Sequence, residues 1–334
     1  MRKNEQNTVC YEFLFSTSTA LGSIGCESIF PSDHPPTLRI ERMMKRHNII
    51  ALIAFLSTSI LAPTGALAAS VWKVTDGEFT VYFGGTIHIL KAENLPLPPQ
   101  FHAAYAAADK LVFETDIEGA QTPEFQQKML SQMILTDGTT LQTRLNYKTY
   151  TALKMHMDSK GIPIANFHPL KPSMVAITIT MMEYQANGFD QDGVDQIFAV
   201  KAKADGKPIE WFESIQEQLD FIVNIGGDDD NAMINYTLDE IETLPALIDD
   251  MLSSWKDGDV DKLNKTVVEP MEELSPEIYA SLIIQRNNNW MPKIMEMLKD
   301  KPTELVLVGA AHLAGKDSIF AKLEAKGYKI EKVN

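Results

Sequence analysis

The sequence predicts an α/β fold: one domain with a mixed central sheet, helices on its faces and a large helical insertion. Three observations carry this. Strand-like runs sit at both ends of the segment after residue 68, with helical periodicity between them. Several of those runs are almost wholly apolar, as strands covered on both faces are. Four of them finish at or just before a group able to bind metal or move protons, and in open α/β sheets functional groups collect beyond the carboxyl ends of the strands.

The first 68 residues stand apart. Residues 1–42 mix Ser, Pro, Gly and charges without a period and read as an upstream extension, expected to be disordered and not native to the mature protein. From Met43 the layout changes. Lys45 and Arg46 give a basic start, Ile49 to Leu61 an apolar run, and Ala66-Leu67-Ala68 a small-residue site before Ala69. That is the pattern of a secretory signal peptide over 43–68. The apolar run is short for a membrane span; an uncleaved anchor is the alternative. The expected start codon is then Met43 or Met44, and the expected domain covers 69–334, periplasmic or secreted, with no stable membrane insertion after cleavage. Both cysteines, Cys10 and Cys26, precede residue 43, so the domain has no thiol or disulfide chemistry.

The chain carries 30 Lys/Arg against 45 Asp/Glu, a net charge of −15. Residues 1–68 hold six of the former and five of the latter, so the acidic excess belongs to the domain. That argues against nucleic acid or an anionic membrane as partner.

Taken in order, VWKVTD (71–76) and FTVYFGG (79–85) read as strands joined by an Asp76-Gly77 hairpin turn. The prolines of NLPLPPQ open a helix with Phe101, Ala104, Tyr105 and Ala108 on one face. KLVFETD (110–116) is a third, central strand. Helical pattern runs from about Thr122 to Ala204, broken at Asp137-Gly138, at Gly161 to Pro163 and around Gly188. Within it SMVAITITMMEYQ, apolar nearly all round, predicts a buried helix; its β-branched residues keep strand as the alternative. GKPIEWFES (206–214) is a strand, followed by a helix through Gln218 and Phe221. Residues 225–232 read as a loop, then acidic helical pattern runs to about Lys299. ELVLVG is the last strong strand; a helix with Ile319, Phe320 and Leu323 inward, a Gly327 stop and a final strand complete the chain. There is no 20–50-residue repeat and no low-complexity tract.

The strand ends define the candidate site. The second strand runs into His88, the third ends in Glu114 with Asp116 just after, the fourth ends in Glu213, and the late strand leads to His312. Parallel strands would bring these groups to one rim, with Arg286 close behind. Gly85 and Gly309 each stand three before a histidine, and Ala310, Ala311 and Gly315 keep bulk away from His312. The expected shape is a strand tip presenting an imidazole into a cleft. A lone His at a strand end is more often a polar rim residue, and a Glu there a helix cap or ion-pair partner; the repeated Gly-x-x-His and the acid after a third strand weigh against that. His102, His156 and His168 read as surface or structural residues, and the methionines as core fillers. Arg286-Asn287 is able to supply a cation and an amide; the bland reading is an ordinary helix start beside Trp290. No Gly-x-Ser-x-Gly elbow, phosphate loop, His-Glu-x-x-His or dinucleotide fingerprint is present.

GGTIHIL, VFETDI, GVDQIFAVKAKADGKPIEWFESIQEQL, RNNNW and LVLVGAAHLAGKDSIFAKLEAKGYKI, in this order over most of 71–334, resemble the TraB/GumN family. That family includes the Tiki metalloproteases and is related more distantly to erythromycin esterases and haem-binding ChaN proteins. Its paired Gly-x-x-His motifs match Gly85 to His88 and Gly309 to His312, and its acid after the third strand matches Glu114. Its Arg-Asn matches Arg286 and Asn287, and its Gly-x-Asp and Glu-x4-Gln positions match Gly193, Asp195, Glu213 and Gln218. The resemblance implies metal-dependent, peptidase-like hydrolysis of a peptide or small-molecule substrate. It implies a divalent metal, manganese or cobalt, on His88, Glu114 and His312; two imidazoles and a carboxylate suit such an ion. Asp116 or Glu213 would accept a proton or orient a ligand, and Arg286 would stabilise an oxyanion. Two alternatives remain: a non-catalytic periplasmic binding protein for peptide, metal or haem, and a metal-free esterase with His88 as base and Glu114 orienting it.

Overall fold

The computed structural model describes residues 69–224 and 229–334. The expected extension over 1–42 and signal peptide over 43–68 lie outside the described residues. Among the described residues eight strands form: β1 (Val71–Thr75), β2 (Thr80–Thr86), β3 (Ile89–Lys91), β4 (Lys110–Thr115), β5 (Phe189–Asp192), β6 (Ile209–Glu213), β7 (Glu304–Gly309) and β8 (Lys329–Lys332). Six make the central sheet in the order β6-β4-β7-β2-β1-β8. The inner run β6, β4, β7, β2 is parallel, and β1 pairs antiparallel with both β2 and β8. Strands from both ends of the described chain thus share one mixed sheet, as the sequence predicts. The β1–β2 turn uses Asp76: its Oδ1 accepts from the N–H groups of Glu78 at 2.9 Å and Phe79 at 3.0 Å.

Side-chain alternation along the strands builds two cores. Leu111, Phe113, Leu305 and Leu307 meet Phe101, Phe198 and Trp255 on one face. Val112, Val306 and Val308 meet Trp290, Ile294, Phe320 and Leu323 on the other. The helical insertion has a core of its own, with Phe125, Met129, Leu153, Ile179, Leu219 and Ile234.

SMVAITITMMEYQ lies in the helix Pro172–Ala186, with Pro172 to Ala176 and Ile179 buried. Two features differ from the sequence reading. β3 and β5 pair as a separate two-stranded ribbon, too short for alternation to announce. The expected loop over 225–232 ends early: helix Asp230–Asp257 begins inside it, with Asp229 accepting from the N–H groups of Asn231 and Ala232. Among the described residues no helix is long and apolar enough to cross a membrane.

Candidate functional site

Parallel β2, β4, β6 and β7 send their carboxyl ends to one rim. The β2–β7 register sets Thr86 opposite Gly309, so the two Gly-x-x-His motifs leave the sheet side by side. The β4–β6 register sets Thr115 opposite Glu213, which brings Glu114 and Glu213 to the same rim.

Arg286 ties these groups together. It opens the helix Arg286–Met297, which continues from a π-helical stretch, Ala280–Gln285; such deformations recur at functional sites. The residue is 6% exposed. Its Nε donates to Glu213 Oε1 at 2.8 Å, and Nη2 donates to Glu114 Oε2 at 2.8 Å, Glu213 Oε2 at 2.9 Å and Gln218 Oε1 at 3.1 Å. The guanidinium carbon lies 4.7 Å from the Trp290 ring centre and 5.3 Å from that of Phe221. A planar fork held at its edge by carboxylates and against rings has little freedom left.

Glu114 is buried beside it. Oε1 accepts from the Gly309 N–H at 2.6 Å. A Cβ at position 309 would stand 3.2 Å from that oxygen, so glycine is what lets the backbone come this close. Burial disfavours the charged carboxyl, but Arg286 foremost, then His312, His88 and the Gly309 N–H, hold it well below the usual carboxylate range.

His312 departs from the sequence reading. It lies in a 3₁₀ turn, Ala310–Leu313, and is 3% exposed, so it is a packed ring and not one presented to an open cleft. The small residues around it serve close packing: a Cβ on Gly85 would stand 3.1 Å from Ala310 Cβ. His312 Nδ1 is 2.7 Å from Asn287 Oδ1. An amide oxygen only accepts, which assigns the ring proton to Nδ1 and the lone pair to Nε2. Asn287 Nδ2 in turn donates to the carbonyls of His312 at 3.3 Å and Asp317 at 3.0 Å. His312 Nε2 faces Arg286 Nη1 at 3.4 Å and Glu114 Oε1 at 3.9 Å. Burial pushes the ring down to about 3, outweighing Glu114, and Arg286 and His88 add to the shift.

The accessible imidazole is His88, with 65% of its side chain exposed. Its partner is Asp195, whose Oδ1 lies 3.2 Å from His88 Nδ1. Gly193 makes this possible. A Cβ there would stand 2.2 Å from the His88 carbonyl oxygen, so only glycine lets helix Val194–Asp205 start against this backbone. The Asp195 charge outweighs desolvation and pulls the His88 ring up to about 9. His88 also feels the charges of Glu114 and Arg286, which couples it to the buried network.

Of the residues singled out from sequence, His88, Asp195, Glu114, Glu213, Gln218, Arg286, Asn287 and His312 come together here, with Gly85, Gly193 and Gly309 as the close approaches that permit it. Asp116 does something else: it caps helix Ile117–Ala120, accepting from the Gly119 N–H at 2.9 Å. His168 meets the Tyr150 hydroxyl at 2.8 Å, and His102 lies against Phe198. Trp290, in sequence only the neighbour of a helix start, belongs to the site. Its Nε1 donates to Glu213 Oε1 at 2.8 Å, and its ring centre lies 4.5 Å from that of His312. The available signal was spacing: Arg286 and Trp290 are four apart on one helix, hence on one face. The sequence reading also missed the unpaired rim groups. Among the described residues, Thr86 Oγ1, Thr115 Oγ1 and Asp195 Oδ1 are buried with no hydrogen-bond partner. For Asp195 this means that the contact with His88 is an ion pair not aligned as a hydrogen bond.

Among the described residues no group of three or more His, Cys, Asp and Glu converges as a metal cage. The donor chemistry is nevertheless of the right kind. His312 has Nδ1 set against an acceptor, as in metal-binding histidines, but its Nε2 faces Arg286 Nη1, and His88, raised to about 9, would have to give up a proton before its Nε2 could serve as a ligand.

Three relatives place this geometry in context. The uncharacterized protein YbaP of Escherichia coli K12 is 25% identical over 236 residues, covering 70% of this chain and 84% of YbaP. The same protein of Shigella flexneri matches to the same extent. Metalloprotease TIKI2 of Danio rerio is 22% identical over 301 residues, covering 75% of this chain and 58% of TIKI2. No solved structure matches. The sequence profile of the TraB/PrgY/gumN family matches residues 70–332, and the chain therefore belongs to the TraB/PrgY/gumN family.

Proposed function

We propose that this chain is an exported hydrolase of the peptidase kind whose activity depends on a divalent metal. One observation carries the reading: His312, its ring held through Nδ1 by Asn287, lies 3.9 Å from the buried carboxylate of Glu114 at the rim where parallel strands end, and His88 follows the neighbouring strand β2 to the same rim. His88, Glu114 and His312 would hold the ion, with manganese or cobalt the expected metals. When bound it would lower the pKa of water and polarise a carbonyl. The chain's own residues do the rest. Asn287 fixes the His312 ring by a hydrogen bond, and Asp195 holds the His88 ring by charge. Arg286 keeps Glu114 ionised and has Nη1, free of carboxylate partners, directed toward His312 and available to a developing oxyanion. Trp290 and Phe221 hold the guanidinium so that it does not have to reorganise. The similarity to metalloprotease TIKI2 supports hydrolysis of a peptide bond, and the signal-like segment over 43–68 supports export.

A second reading, hydrolysis without metal, is favoured by Arg286 itself. A cation already lies between Glu114 and Glu213, and His88 already has a carboxylate behind it. In that reading Asp195, not Glu114, orients His88. One experiment separates the readings. Purified protein is stripped with chelator, offered manganese, cobalt, zinc or haem, and incubated with a peptide library and small esters. Cleavage of peptides that returns only with metal supports the proposal. Ester cleavage that survives chelation supports the second reading. Tight binding of peptide, metal or haem with no turnover would overturn both and leave a binding protein.

A further inference from the structure

β6 is an outer strand of the central sheet. Its inner neighbour is β4, and among the described residues its other edge carries no strand. The ladder shows which backbone groups are left over. The Leu111 N–H donates to the Pro208 carbonyl at 3.0 Å, and Leu111 stands opposite Ile209. Along a parallel pair alternate residues turn their peptide groups to the same neighbour. Glu210 and Phe212 therefore serve β4, while Ile209 and Trp211 turn outward. Lys293 caps this edge in part: its Nζ donates to the Trp211 carbonyl at 3.1 Å and, at the strand's end, to that of Phe212 at 3.2 Å. Among the described residues no turn, loop or side chain accepts from the N–H groups of Ile209 and Trp211. Such a row is a template for another strand. The side chains beside it carry a pattern. Trp211 is 38% exposed, and exposed indoles concentrate at interfaces. Glu210, with 55% of its side chain exposed, pairs with Lys110 at 3.0 Å. It shares a face of the strand with Phe212, which stacks on Trp290 of the helix that carries Lys293. An acid and a lysine thus lie on one face, on either side of Trp211.

We propose that β6 pairs antiparallel with β6 of a second copy of this chain, about a two-fold axis at Trp211. The two Trp211 residues would exchange N–H and carbonyl, and the backbone of Ile209 would meet that of the second copy's Glu213. Glu210 would stand opposite the second copy's Phe212, beside the second copy's Lys293, and the symmetry makes this contact twice. Charge complementarity is what selects the occupant. An extended peptide of arbitrary sequence would satisfy the same backbone groups, but not an acid and a lysine set symmetrically about one residue. The paired strand is short, so the association belongs to the small, transient class. It also reaches the candidate site, because β6 ends in Glu213, which holds Arg286. The inference does not depend on the hydrolase reading.

Sedimentation velocity of the purified protein, from micromolar to millimolar concentration, reads the association. It is expected to rise with concentration and to weaken with salt. Trp211→Pro removes an outward N–H and the indole without touching the ladder to β4, and edge strands accept proline on that side; this variant is expected to stay monomeric. Glu210→Lys and Lys293→Glu each set like charges together twice, and each should weaken association by about tenfold. Mixed in equal amounts, the two charge variants should recover it, because each copy then offers the charge that the other needs. That arm stays decisive should the proline variant fail to fold. A protein monomeric throughout, a dimer indifferent to these changes, or no recovery on mixing would overturn the proposal. So would a monomeric protein whose Ile209 and Trp211 amides become protected from hydrogen exchange by an acetylated hexapeptide of alternating threonine and valine, a result that gives the edge to a peptide.

Discussion

Replacing Arg286 by Met tests how the site is held. Met fills much of the arginine's volume against Trp290 and Phe221, so packing changes little. What is lost is electrostatic. Four donor contacts to Glu213, Glu114 and Gln218 disappear, and Glu114, 9% exposed, keeps the Gly309 N–H as its remaining hydrogen-bond donor. Removing one partner of a buried ion pair costs about 3–5 kcal/mol, because the other charge stays buried and unpaired. The pH dependence follows from Glu114. In the wild type its folded pKa is depressed, so it contributes stability above its unfolded value near 4.3 and loses it as pH falls through the folded value. In Arg286→Met burial acts with its main opponent removed, and Glu114 is expected to protonate more readily. The deficit should therefore be largest at pH 7 and narrow as pH falls toward 4. Urea unfolding followed by circular dichroism at the two pH values measures it. Adding Glu114→Gln should recover about 1–3 kcal/mol, the coupling expected between contacting residues. A loss below about 1 kcal/mol at pH 7, or one equal at both pH values, would refute the argument that Arg286 keeps a buried carboxylate charged.

His312→Ala should destabilise the fold by about 2–4 kcal/mol in thermal or urea unfolding, since it empties a packed ring position and leaves Asn287 Oδ1 unpaired; a loss below about 1 kcal/mol would restore the picture of an unpacked strand tip. Asp195→Asn should bring the His88 ring, followed by NMR titration, from about 9 back toward its ordinary value of 6.5. Because the folded pKa is raised, the wild-type advantage from this pair should be complete below about 6.5, decline as pH rises through about 9 and be absent beyond; an unchanged ring titration would remove Asp195 as the cause. At the opposite end of the sheet burial pushes Glu304 from 4.5 up to about 7, against Lys110. The wild type should lose stability relative to Glu304→Gln as pH rises between those values, about 3 kcal/mol in all, and parallel stability–pH curves for the two proteins would contradict this.

The strands were legible because alternation and apolar runs report two-sided burial. Their carboxyl ends gave the rim, since parallel pairing of β2, β4, β6 and β7 follows from helical connections. Pairing of β2 with β7 crosses more than two hundred residues, and nothing local signals it; only the repeated Gly-x-x-His hinted at a shared place. Burial at the rim was harder to read. Two histidines three residues after glycine look alike in sequence, yet His312 is enclosed by Trp290, Asn287 and Glu114 while His88 stays open beside Asp195. The difference lies in the helix Arg286–Met297 that packs over one motif and not the other. Asp116 shows the converse: an acid after a strand is as good a helix cap as a site residue, and the Gly119 N–H three residues on decides which.

The composition of the network bears on what it is for. Glu114, Glu213 and Arg286 leave one negative charge in excess while His312 is neutral. A buried ion pair is a poor route to stability, since well-packed apolar residues of similar volume often do as well or better. Trp290, Phe212 and Phe221 already surround the spot and would suit such a core. The hypothesis we draw is that the charges are kept for position. One guanidinium, fixed by two carboxylates and two rings, sets Glu114, Glu213 and Gln218 in a single arrangement, with His312 Nε2 against its free edge. Arg286→Lys offers a direct check, because it keeps the charge and removes the fork. If position is what matters, that variant should lose activity on any substrate found for the wild type nearly as completely as Arg286→Met, while keeping more of its stability. A lysine variant of near wild-type activity would show that charge alone suffices.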